Sequence, residues 1–188
     1  MADVIETLRR DHLNLAELLR VLDNQVSVFE DGGRPDYELV SEIVDYCLNY
    51  PDLHHHPMED QVLVKLREVA PEAAEKVGDL DAKHRELGDL TRRLSATLHQ
   101  ILNEAEIDRE AVVGLAQNFI EAYRAHINAE ELYFFPTAEM ALSDADWIDV
   151  ENAIASLEDP LFGEQVAEEY QQLHETILRW SDTTTSGA

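Results

Sequence analysis

The first long apolar stretch of the chain, Ile5, Leu8, Leu15, Leu19, Leu22, Val26 and Phe29, advances in helical steps and has His12 in its middle. Steps of three and four residues put all of these side chains on one helix face, the one a partner helix must cover. Folding therefore carries an imidazole into the interior. Two later stretches do the same: Leu80, His84, Leu87, Thr91, Leu94, Leu98, Ile101, and Val112, Leu115, Phe119, Tyr123, His126, Glu130, Tyr133. A further one reads Leu39, Ile43, Tyr46, Tyr50, loses phase at Pro51 and resumes as His55, Glu59, Val62, Leu66. Proline removes a backbone donor, so a bend or restart is expected there.

These patterns predict helices over 2–29, 36–68, 72–105 and 108–140, separated by Gly32-Gly33-Arg34-Pro35, by Ala70-Pro71 and by an acidic stretch near Asp108. No segment alternates in the manner of a strand. Long helices joined by short turns favour antiparallel neighbours, so the expectation is an all-α, up-down-up-down four-helix bundle over 1–140. Ser143 stands three residues before Asp146, a helix-capping pattern opening a segment that runs to Leu157. A last helix from Gly163 to Trp180 carries Val166, Tyr170, Leu173, Ile177 and Trp180. Residues 141–180 are thus expected to form a helical extension packed on the bundle, with a homodimer face as its alternative role, and 181–188 a frayed tail.

A chain of 188 residues that is 45% hydrophobic can bury one sizeable core. Its formal net charge of −26 repels nucleic acid and anionic membranes. No uncharged apolar run approaches the roughly 18 to 20 residues that span a bilayer, and no export signal opens the chain. One cysteine, Cys47, excludes an intrachain disulfide and a multi-thiolate metal site. The expectation is a soluble cytoplasmic protein.

His55/Glu59 and His126/Glu130 are two imidazole–carboxylate pairs four residues apart, a spacing that brings both side chains to one face of a helix. A buried glutamate is costly unless paired or bound to a cation, and here two would lie beside the histidines of four helices. Mixed nitrogen and oxygen donors suit iron or manganese. Four imidazoles and two bridging carboxylates leave about four coordination positions open on a pair of six-coordinate ions, so the site is expected to be reactive rather than purely structural. His56, His99 and His174 fall off the stripes and are expected at the surface, while the prolines at 51 and 57 leave the direction of His54 open. Tyr123 and Tyr133 lie in line with the fourth-helix pair, where aromatic packing and hydrogen bonding to a bound oxygen species are both open to them. Asp11 or Asp81 could accept the second ring N–H of a ligating histidine. Met58, Met140 and Cys47 are expected to fill space.

Over roughly residues 5–140 the chain resembles the hemerythrin-like, or HHE cation-binding, family. The resemblance is carried by Asp11-His12, by Tyr50-Pro51 through His55-His56-Pro57-Met58-Glu59-Asp60, by His84, and by His126-Ile127-Asn128-Ala129-Glu130-Glu131 with Phe135-Pro136. It implies that His12, His55, Glu59, His84, His126 and Glu130 ligate two non-haem iron ions joined by an oxide or hydroxide bridge. It also implies a protein that binds or reacts with oxygen, peroxide or nitric oxide, the alternatives being an iron, redox or nitric oxide sensor and a catalase- or peroxidase-like enzyme. Oxygen-carrying members have five histidine ligands, two of them one turn apart on the third helix, whereas Gly88 and Leu80 flank His84 here at that distance. One nitrogen donor is therefore expected to be missing, with His54 and Tyr50 as substitutes. Those members also place the last carboxylate five residues after the histidine, at Glu131 here, but regular helical phase favours Glu130.

Overall fold

The computed structural model describes residues 3–103 and 107–154, together with Leu173 and Glu175. Among the described residues it is all α-helical, with no strand. The first stripe forms α1 (Asp3–Glu30), which ends at Gly32, where a φ of 85° suits a residue without a side chain. Asp36 then caps α2 (Tyr37–Tyr50) by accepting from the Leu39 N–H at 3.1 Å.

Pro51 does not break the rod. Residues Pro51–His55 make a π-helical turn, closed by the His56 N–H donating to the Pro51 carbonyl five residues back, and lead straight into α3 (His56–Val69). A π turn inserts one residue without ending the helix. The inward step from Tyr50 thus becomes five residues instead of four and lands on His55, turning His54 away. A second π turn, Glu130–Phe134, joins α6 (Arg109–Ala129) to α7 (Phe135–Ala141), with the Phe135 N–H donating to the Glu130 carbonyl. It shifts the buried face from the expected Tyr133, which is 64% exposed, to Phe134 and Phe135.

The expected helix over 72–105 is divided. Gly78, at φ 87°, ends α4 (Pro71–Val77), and Asp79 accepts from the Ala82 N–H to start α5 (Leu80–Leu102). The Ser143–Asp146 pattern forms a reciprocal capping box on α8 (Asp144–Ala153), which packs on α3. Of the expected helix over 163–180 only Leu173 and Glu175 are described; Leu173 is fully buried in the core, and the rest lies outside the described residues, as do residues 181–188.

Helix α1 neighbours α2 and α6, and α5 neighbours the same two, so the rods close into a bundle. The interior divides into two apolar clusters. One holds Leu15 to Val26, Leu39 to Tyr50, Leu87 to Leu98 and Val113 to Tyr123; the other holds Val4 to Leu8, Val62 to Leu66, Leu80, and Phe134 to Leu142. His12 falls between them on α1, His55 to Glu59 on the second rod, His84 on α5, and His126 to Glu130 on the fourth rod. Each fully buried leucine or phenylalanine contributes about 1.5–3 kcal/mol. Apolar packing above and below therefore holds a polar layer that could not assemble by its own energetics.

Candidate metal centre

All four rods contribute to that layer. His12, His55, His56, Glu59, His126 and Glu130 are buried, the two glutamates completely, and the His84 side chain is 10% exposed. Their ligating atoms form two groups, His12, His55, Glu59 and Glu130, and His56, Glu59, His84 and His126, each with its atoms within 4.8 Å of one another.

Each glutamate spans the two groups. Glu59 puts Oε1 3.5 Å from His55 and Oε2 3.3 Å from His84. Glu130 puts Oε2 3.3 Å from His12 and Oε1 3.2 Å from His126 and 3.4 Å from His84. The Nε2 atoms of His12 and His55 are 3.1 Å apart. Donors about 2.1 Å from a shared ion are separated by about 3.0 Å in octahedral and about 3.4 Å in tetrahedral arrangement, so these spacings are the edges of coordination polyhedra. Among the described residues, both Glu59 oxygens and Oε2 of Glu130 are buried without a well-formed hydrogen bond. Buried anions left in that condition cost several kcal/mol unless a cation compensates them. The residues fit a pair of metal ions.

His56 corrects the sequence expectation. It was expected at the surface, yet it is 8% exposed and its ring stacks on His84 with centroids 3.8 Å apart. The buried arc of α3 is wider than a single stripe, because α3 packs against α1 on one side and α4, α7 and α8 on others. The signal was present in Leu63, seven residues on and 1% exposed, which marks the same edge of the helix. His56 supplies the fifth imidazole. His54 belongs to neither group, its ring lying 5.2 Å from that of Tyr50. His99 is exposed, as expected, and His174 lies outside the described residues.

The outer ring nitrogens of one group meet carboxylates. His12 Nδ1 lies 2.8 Å from Oε1 of Glu131, whose Oε2 accepts from Arg9 Nε at 3.3 Å while the two terminal guanidinium nitrogens of Arg9 grip Glu139 at 2.7 and 3.0 Å. His55 Nδ1 lies 3.2 Å from Oδ2 of Asp11, which also accepts from the Tyr50 hydroxyl at 3.0 Å. Of the two aspartates considered from sequence, Asp11 takes this place; Asp81 is exposed and points toward Arg67. Glu130, the residue favoured by helical phase, reaches the centre, and Glu131 stands behind His12. The Tyr50 hydroxyl donates to Asp11, and Tyr123 is buried with its hydroxyl directed to the Cys47 carbonyl.

Charge in the metal-free layer is shared unevenly. Burial works to strip His55 of its proton, but Glu59 and Asp11 hold its pKa up at about 10. Burial likewise opposes the charge on His84, and Glu130 and Glu59 raise it to about 9. Burial and the charge on His84 push His56 down to about 4, and burial lowers His126. Burial would raise the Glu59 pKa, but His55 and His84 hold it well below the ordinary range; Glu130 is lowered by its histidines against burial and Glu59. Before any cation binds, His55 and His84 thus carry positive charge that offsets the two buried glutamates.

Among the described residues no helix is long and apolar enough to cross a membrane. Neither the curated proteins nor the solved structures searched gave a match. The family model described as the hemerythrin HHE cation binding domain matches residues 3–138, the span that holds every residue of the layer. A bundle with two His/Glu clusters in its core and that match supports metal binding. The chain belongs to the hemerythrin HHE cation-binding domain family.

Proposed function

We propose that the layer holds two non-haem iron ions and that the protein binds or reacts with a small ligand, oxygen, peroxide or nitric oxide. The observation that carries this reading is the way Glu59 and Glu130 each present one oxygen to either donor group. A single ion would need only one group; two carboxylates that span both groups suit a bridged pair. His12 and His55 would hold one ion, and His56, His84 and His126 the other.

The fifth histidine changes the coordination count made from sequence. With about six positions per ion, three imidazoles, two carboxylate oxygens and one shared solvent oxygen complete the second ion. The same set with two imidazoles leaves the first ion one short. The open position is thus assigned to the side of His12 and His55, next to the Phe135 ring, which stacks on His12 at 5.2 Å. Iron bound there would supply a ligand position, and the two irons together could supply one electron each for reversible binding or reduction. The chain's own part is to exclude bulk water with the two apolar clusters, fix Nε2 of His12, His55, His84 and His126 inward, and keep the carboxylates ionised.

Metal analysis of protein loaded anaerobically with iron(II), followed by its visible spectrum after air and after nitric oxide, tests the reading. Two irons per chain and ligand-dependent absorption are expected. One iron per chain, or a spectrum indifferent to both gases, contradicts it.

A further inference from the structure

The histidines of the layer differ in what stands behind them. Behind the group with fewer histidines, both imidazoles turn Nδ1 toward a carboxylate, His12 to Glu131 and His55 to Asp11. In the other group, the His126 Nδ1 is buried with no hydrogen-bond partner among the described residues. The two backing carboxylates are themselves held: Arg9 binds Glu131 from the bundle surface, and the Tyr50 hydroxyl fixes Asp11 within the core. Glu131 owes its place to the second π turn, which starts at Glu130 and sets two consecutive glutamates to different tasks.

Resting on the two-ion reading above, we infer that Asp11 and Glu131 are positioning residues that compensate the missing imidazole of the His12/His55 position. An Nδ1–H donated to a carboxylate leaves Nε2 as the free lone pair, fixes the ring plane and makes the imidazole a stronger donor. A position with two such histidines then retains its ion beside a neighbour that has three. The same carboxylates place negative charge around the ion that has the open position, favouring its more highly charged state. Both histidines of the His12/His55 position are therefore backed by a carboxylate, which His126 of the neighbouring position is not.

Metal titrations of the full chain test this, with cobalt(II) for affinity and zinc(II) for ¹⁵N NMR of the histidines. The unaltered protein is expected to take up two ions. Glu131→Ala should weaken one of the two by about 10- to 100-fold and leave the other in place, and Asp11→Asn combined with it should leave one tight ion per chain. Glu131→Gln, which keeps an acceptor without the charge, should fall between. In the zinc form, His12 and His55 should show protonated Nδ1 and metal-bound Nε2. Because Glu131 is partly exposed, its variants test the idea even if Asp11→Asn fails to fold. Equal weakening of both ions, no weakening of either, or metal-bound Nδ1 on His12 overturns the inference while leaving the two-ion reading intact. Failure of the unaltered chain to bind two ions overturns both.

Discussion

His56 stacks face to face on His84, ring centroids 3.8 Å apart and planes 11° from parallel, although the two residues belong to different rods and only one of them follows a helical stripe. The stack brings a fifth imidazole into the layer. His56→Ala should lower bound metal from two toward one per chain, whereas His54→Ala, two residues earlier and outside both donor groups, should leave it unchanged. Elemental analysis of the purified variants decides; two ions retained in His56→Ala would remove that residue from the centre.

Removing metal should cost stability, because the glutamates at 0% exposure then rely on protons for compensation. With free metal at 100 times the dissociation constant, each site adds about 2.7 kcal/mol to the folded state. Thermal unfolding with and without a chelator should show a rise on loading that grows with metal concentration. Coincident melts would contradict the site.

The metal-free protein should be most stable near neutral pH. His55 and His84, raised to about 10 and about 9, contribute stability in full below their unfolded value near 6.5 and lose it as the pH climbs through those values. His56, lowered to about 4, acts in the opposite sense, opposing folding as the pH falls from about 6.5 toward 4. Melting temperatures of chelated protein across pH 4–10 should therefore fall on both flanks. Metal uptake at neutral pH should release the protons of His55 and His84, detectable as a dependence of binding heat on the buffer.

Phe135 is fully buried and stacked on His12, while Tyr133, two residues earlier, is 64% exposed. Phe135→Ala should cost about 3–5 kcal/mol, and Tyr133→Ala no more than about 0.5 kcal/mol. Denaturant melts of the metal-free variants measure both. Similar losses would place the second π turn in the wrong register.

Burial pushes the Cys47 thiol up to about 12, leaving almost no thiolate at neutral pH. A thiol reagent should leave the native chain unmodified and titrate one group in denaturant. Rapid native labelling would contradict the packing of α2.

Sequence alone determined the all-helical class, the bundle and the inward direction of His12, His55, His84 and His126, because the three-and-four residue spacing of apolar side chains is a local property that burial must respect. It also favoured Glu130 over Glu131 from helical phase and offered Asp11 or Asp81 as a partner for a histidine from elementary coordination chemistry, and the structure chose Asp11. Only the tertiary structure decided the positions of His56, Tyr133 and Phe135 and the break at Gly78. A π turn moves the phase of a helix by one residue; the first shows in the sequence as the lost phase at Pro51, but the second leaves no trace in the stripe through Glu130 and Tyr133, and the width of a buried arc depends on how many neighbours a helix has. The pairing of Glu131 with His12 joins residues more than a hundred positions apart, and no local pattern specifies a contact that depends on how α1 lies against the fourth rod.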